Sequence, residues 1–217
     1  MSRRPSDQTG MTLIELLVAM TITVVLSTLI ISSWVMLTNA YSFNTRSSKQ
    51  RDVANLALAR MAREIRDAQK PAPTVNAFAH AYPNEVRFYS TFNEAGSDDP
   101  TQPPRLTRFV LEYGGNGIGT IYRDEDGGDG VLSGSGDDVR TTLVKDVVNN
   151  RQSTALFTYS AISDTTGQMY QSSETTPVPS SRIQTVRIVL FVDLNPGQSP
   201  NYMDISTTVE PRNMRHL

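Results

Sequence analysis

From Leu16 to Leu37 the chain reads LLVAMTITVVLSTLIISSWVML, 22 residues without a charged side chain, a proline or a glycine. About 20 apolar residues cross the hydrocarbon core of a bilayer as a helix, so this stretch is long enough for one span. Trp34, the sole tryptophan, sits near its far end, where an indole suits the membrane–water interface. Ahead of it runs a polar leader, MSRRPSDQTG, with Arg3 and Arg4. Positive residues before a span favour holding that end in the cytoplasm, with residues 38–217 on the other side. Beyond Leu37 the chain turns polar, and mean hydropathy over all 217 residues is −0.31, which excludes a bundle of several spans.

Glu15 interrupts the apolar run that opens at Met11-Thr12-Leu13-Ile14. A carboxylate in hydrocarbon costs about 2.5–3.5 kcal/mol on insertion scales, so something must offset it. If the chain is cut after Gly10, the new α-amine of Met11 is a cation within reach of Glu15, in the same chain or in a neighbour packed alongside.

The segment Gly10-Met11-Thr12-Leu13-Ile14-Glu15-Leu16-Leu17-Val18-Ala19-Met20 resembles the class III signal of type IV pilins and type II secretion pseudopilins. The resemblance implies cleavage after Gly10 by a membrane-embedded prepilin peptidase, and N-methylation of Met11 where the family more often has Phe. It also implies that Glu15 serves methylation and neutralises the N-terminal amine of an adjacent subunit during filament assembly. Two plainer readings stand beside it, a secretory signal cut after Ala40 and an uncleaved signal anchor. The first needs a 22-residue apolar region where about 7–15 is usual, and neither accounts for a carboxylate five residues after Gly10.

From Thr38 to Lys70 there is still no proline or glycine. Ala54, Leu58, Met61, Ile65 and Ala68 recur at helical spacing and mark one apolar stripe, with Arg60, Arg63, Glu64, Arg66 and Asp67 read as largely off it. Pro71 and Pro73 stop the helix. Unbroken from Met11 to Lys70 it would be about 90 Å long, with SFNTRSSK at 42–49 its weakest part. The stripe reads as a docking face for a sheet rather than a ligand site.

After Pro71 the pattern changes to short alternating runs divided by turn residues. Strands are expected at 86–92, 105–113, 120–123, 139–148, 155–159, 182–193 and 202–210, with a helical turn at 146–149. Loops are expected at 97–104, 124–138 and 165–181. A long helix against an antiparallel sheet is the α+β class. The expected organisation is a leader at 1–10, a transmembrane helix at 11–37, its amphipathic continuation at 38–70 and a β-rich domain at 71–217.

Composition narrows the chemistry. With 20 Lys and Arg against 22 Asp and Glu, the net charge is −2, and the chain is no polybasic nucleic-acid binder. No cysteine is present, which removes disulfides, thiolate nucleophiles and cysteine metal sites together. Arg60, Arg63 and Arg66 are interleaved with acids, so nucleic acid is not an expected partner. The acidic, glycine-rich run Asp124-Glu125-Asp126-Gly127-Gly128-Asp129-Gly130 offers hard oxygen ligands for Ca²⁺, through Asp124, Asp126 and Asp129 first, with Asp137 and Asp138 nearby. One extra residue before Asp129 breaks the EF-hand spacing, and an Asp-Gly hairpin tip explains the same residues. Gly114-Gly115-Asn116-Gly117-Ile118-Gly119 lacks the third glycine and the following helix of a dinucleotide loop, so it reads as a turn. Ser133-Gly136 is not a nucleophile elbow, and His80 and His216 read as surface residues. No catalytic residue is expected.

The order of elements resembles the larger minor members of the family, the J-type pseudopilins and PilW-like minor pilins. That likeness rests on EIRDAQ at the helix end, LVKDVVNN before ALFTYS, and TVRIVLFVD leading to a terminal PRN. It implies an assembly subunit of a pilus or pseudopilus. Its partners would be prepilin peptidase, membrane lipids and other pilins along the N-terminal helix, and its place the cytoplasmic membrane and then the filament. A monomeric, membrane-anchored binding module serving adhesion or DNA uptake is the alternative.

Overall fold

The computed structural model describes residues 11–92, 103–128, 130–132, 138–162, 169–171, 183–195 and 201–212. Its first element is one helix, α1, Leu13–Arg66, 54 residues long. The chain divides into two compact units, Met1–Thr45 and Arg46–Leu217.

In the first unit α1 buries nothing: residues 11–45 are exposed, apart from a half-buried Phe43. Its hydroxyls are internally satisfied. Thr21, Thr23, Thr28, Ser32 and Thr38 each donate to a carbonyl one turn back, at 2.8–3.0 Å. Such back-bonding lets a Thr- and Ser-bearing helix present an apolar surface to lipid.

In the second unit α1 becomes one-sided. Ala54, Ala57, Leu58, Met61, Ala62 and Ile65 are buried and join the core, and Ala68 follows just past the helix end. This is the expected stripe, widened by alanines that let the helix approach closely. The helix ends at Arg66, before the expected Lys70. Ala68 N–H donates to Ile65 O (3.2 Å), tightening the last turn, and Gln69 N–H donates to Tyr89 O (3.0 Å). A sheet carbonyl thus captures the backbone before either proline is reached.

Nine antiparallel strands are described, all in one sheet: β1 Phe78–Tyr82, β2 Glu85–Ser90, β3 Arg105–Tyr113, β4 Gly119–Glu125, β5 Val139–Val147, β6 Phe157–Ile162, β7 Met169–Gln171, β8 Ile183–Asp193 and β9 Tyr202–Val209. The order is β1-β2-β3-β4-β5-β8-β6-β7, with β9 on β8. β8, the longest and most Val/Ile-rich, is the hub. It pairs with β9 over 186–193, with β6 over 183–188, and meets β5 at Val192–Val147. Between those two partners the Asn149 carboxamide stands in for a strand: its Nδ2 donates to Val189 O (2.7 Å) and its Oδ1 accepts from Phe191 N–H (2.8 Å). The sheet curls, because Phe157 N–H, opening β6, donates to Pro83 O (2.8 Å) in the β1–β2 turn. Phe78, Phe88, Phe109, Ile121, Tyr159 and Ile188 are fully buried with the helix stripe, and the Phe88 ring lies 6.2 Å from Phe78 and 5.4 Å from Phe109. The architecture is α+β.

Several local expectations change. The helical turn falls at Asn149–Gln152, not 146–149. Asp146 instead adopts a left-handed φ of 61° where the β4–β5 register shifts, and Gln50 Nε2 donates to its Oδ2 at 2.8 Å. Asp124 and Glu125 belong to β4 rather than to a loop. Glu64, read as off the stripe, is fully buried.

Candidate functional site

The N-terminal turn of α1 is a capping box. Thr12 N–H donates to Glu15 Oε2 (2.9 Å), Thr12 Oγ1 donates to the same oxygen (3.0 Å), and Glu15 N–H donates back to Thr12 Oγ1 (3.3 Å). Thr-x-x-Glu is the residue pattern of that motif, in which each side chain satisfies the other's orphan backbone donor. Glu15 therefore has a local partner, Thr12, in addition to any amine. Among the described residues its second oxygen, Oε1, has no partner. Met11 precedes the box and is exposed; Gly10 lies outside the described residues.

The rest of the segment is apolar surface with no protein on it. The mean hydropathy of its best 18-residue window is 2.4, and none of that window is buried. A continuous apolar face of this size needs lipid or neighbouring helices to cover it.

Residues 5–31 match the family model described as the prokaryotic N-terminal methylation motif. This is a prepilin-type signal, the kind typical of type IV pilins and pseudopilins. No curated protein matches the chain. The prepilin-type signal and the apolar helix together make the segment a single-pass membrane anchor, and the long helix packed on a curled antiparallel sheet is a pilin-like architecture. A prepilin-type signal implies processing by prepilin peptidase and assembly with other pilins.

A second cluster, which no sequence motif marks, joins α1 to the sheet. Arg123 on β4 is fully buried. Its Nε donates to both oxygens of Glu64 (2.9 and 3.2 Å), its Nη1 to Glu125 Oε2 (2.7 Å) and its Nη2 to Phe92 O (3.0 Å). Arg60 Nε adds a bond to Glu64 Oε1 (2.9 Å), and the Arg63 guanidinium lies 4.8 Å from the centre of the Phe92 ring. Burial alone would lower the Arg123 pKa. The charge of Glu64 and its hydrogen bonds, with those of Glu125, outweigh burial and raise it. This cluster has the geometry of a fixed ionic clamp, with both carboxylates and the guanidinium satisfied.

Two of the residues expected to hold calcium, Asp124 and Asp126, make hydrogen bonds within the protein. Asp124 faces Arg108 and Arg140 across the two neighbouring strands, and both guanidiniums bond its carboxylate, at 2.5–3.1 Å. Arg140 continues to Glu112 (2.8 Å) and stacks over Tyr122 at 4.4 Å. Burial would raise the Asp124 pKa, but hydrogen bonds from Arg140 and Arg108 overcome it and hold the carboxyl below its usual range. Asp126 accepts the Gly128 and Gly130 N–H groups at 3.0 Å, an acid-glycine turn in which both glycines have positive φ. Asp129, Asp137, Ser133-Gly136 and His216 lie outside the described residues. Among the described residues no three His, Asp or Glu side chains converge as a metal site requires.

The glycine-rich segment is the β3–β4 turn: Gly114 N–H donates to Ile118 O, Gly117 N–H to Gly114 O, and Gly117 takes φ 72°. His80 stacks on Tyr82 at 5.7 Å.

Proposed function

We propose that this chain is a minor pilin or pseudopilin, a structural subunit of a type IV pilus or type II secretion pseudopilus. In this reading the precursor is cut after Gly10, Met11 is N-methylated, and the helix holds the subunit in the cytoplasmic membrane until it enters the filament. The prepilin-type signal leading directly into an unburied apolar helix carries the reading. Cleavage at that bond spares the capping box, which needs only residues 12–15. It also places a cation one residue ahead of the box, next to a carboxylate with one oxygen open. Glu15 then sets register: its Oε2 fixes the helix start, and its Oε1 accepts the amine of an adjacent subunit. Oε2 is already bonded to Thr12, which leaves Oε1 for an amine. The role assigned is structural, with no catalytic residue.

The mass of the mature N-terminus tests this. A methylated chain beginning at Met11 is expected. A chain beginning at Met1 or Tyr41 overturns it. Glu15→Ala is expected to leave cleavage intact and reduce incorporation into filaments; normal incorporation removes the register role.

A further inference from the structure

A recess of about 650 Å³ opens in the second unit between the β1–β2 turn, β3 and the 3₁₀ turn at Asn149–Gln152. Tyr82 and Tyr113 line it as aromatic surfaces, Asn84 and Asn150 add carboxamides, Ser153 and Thr154 add hydroxyls, and Glu85 contributes a carboxylate. The volume lies within the range of small-molecule sites.

Its walls are held from behind. Tyr159, fully buried, donates its hydroxyl proton to Tyr82 O at 2.9 Å. Phe157 N–H holds Pro83 O at 2.8 Å, and Leu111 N–H holds Asn84 O at 2.9 Å. On the opposite wall Ser153, a non-glycine residue at φ 49°, is closed onto Asn150 O at 3.2 Å. Left-handed backbone at such a residue persists only where its surroundings impose it. The His80 ring stacks on Tyr82, with centroids 5.7 Å apart. The recess is therefore pre-formed.

Its chemistry selects a ligand class. Among the described residues that line it none is Lys, Arg or His, and the nearby Arg87 is already paired with Glu85, so the lining offers no free cation to a phosphate, sulfate or carboxylate. Glu85 is already paired with Arg87, so a cation finds its counter-charge taken. What remains is neutral: two phenol rings, two carboxamides and the hydroxyls of Ser153 and Thr154, offering both donors and acceptors. The Tyr113 phenol is neutral near pH 7, and burial raises its pKa further against a hydrogen bond at the Asn150 backbone. Flat aromatic faces beside neutral hydrogen-bonding groups match a molecule with an apolar C–H face and a rim of hydroxyls. We propose that this recess binds a neutral saccharide, one or two pyranose units in extent, through Tyr82, Tyr113, Asn84 and Asn150. The inference is independent of the filament reading.

Saturation-transfer NMR on the full chain, held in a zwitterionic detergent without sugar head groups, tests it with glucose, galactose and N-acetylglucosamine at millimolar concentration. Transfer to the ring protons of at least one is expected, and Tyr82→Ala and Asn150→Ala should each weaken binding by roughly tenfold. Both side chains face solvent, so unchanged melting curves are expected for the variants. Asp204→Ala, on β9, should bind as the parent does. Absence of transfer from all three sugars overturns the proposal. So does transfer that survives both variants unchanged, or binding of tetramethylammonium in the recess without any sugar.

Discussion

Arg123 shows how a single residue couples two elements. It is fully buried, as is Glu64, and they are joined by two hydrogen bonds across 59 positions of sequence. Breaking a buried pair from one side leaves an uncompensated charge, at about 3–5 kcal/mol. Arg123→Met is therefore expected to lower unfolding free energy by about that amount, read from urea denaturation. The double variant Arg123→Met with Glu64→Leu should recover most of the loss, because Glu125 keeps Arg105 at 3.7 Å. Asp124 gives a pH-dependent counterpart. Its folded pKa is depressed below an unfolded value of about 3.9. Its contribution is thus complete above the unfolded pKa and is lost as pH falls through the folded one, since the unfolded chain takes up the proton first. Asp124→Asn is expected to cost roughly 1.5–3 kcal/mol at pH 7, and to flatten the decline in urea midpoint between about pH 5 and pH 3.

At the scale of elements, α1 meets the sheet through small residues. Ala54 is fully buried and Ala57 nearly so, leaving no room for a branched side chain between helix and strands. Ala54→Leu should lower stability by about 1–3 kcal/mol through overpacking, measured as a reduced urea midpoint with an unchanged slope. The stripe holding these alanines was legible because it repeats at 3.6 residues, and β3 and β8 were legible because β-branched and aromatic residues alternate along them. β1 was not. Its FAHAY is alanine-rich, and a register irregularity between Phe78 and His80 breaks the period of two. β7, three residues long, is too short to show a period. Asp124 looked like a loop residue because carboxylates are depleted in strands; only the cross-strand neighbours Arg108 and Arg140 make it a strand residue, and those pairings are set by topology. Glu64 did leave a sign, three residues after Met61 and four before Ala68, on the face that buries its neighbours. Its partner could not be found from spacing. The N-terminal signal, by contrast, is local: Gly10, Met11, Thr12 and Glu15 lie within six positions. Even there, the apolar run around Glu15 points to an amine as its partner and hides the Thr12 cap.

For the whole molecule, stability and membrane attachment are assigned to different stretches of chain. No described residue before Ser47 is buried, and the core draws its first helix member from Ala54. Residues 11–45 thus contribute apolar surface for lipid or neighbours, and none of them is buried. Removing them should leave the sheet, the Arg123 clamp and the helix stripe intact, with one newly exposed helix end as the local cost. A fragment beginning at Arg46 is expected to be monomeric and free of detergent. It should melt cooperatively within a few degrees of the full chain, a shift of about 1 kcal/mol or less. Cutting further in separates the two roles: a fragment beginning at Ala59 loses Ala54, Ala57 and Leu58 together and opens the helix side of the core. At about 2–5 kcal/mol for each large buried side chain removed, with less for alanines, that loss is comparable to the whole stability of a domain of this size. Circular dichroism melting of the two fragments decides the matter. A cooperative transition for the longer one and none for the shorter is the expected pair, whereas a fragment from Arg46 that fails to fold would show that the apolar segment supports the core.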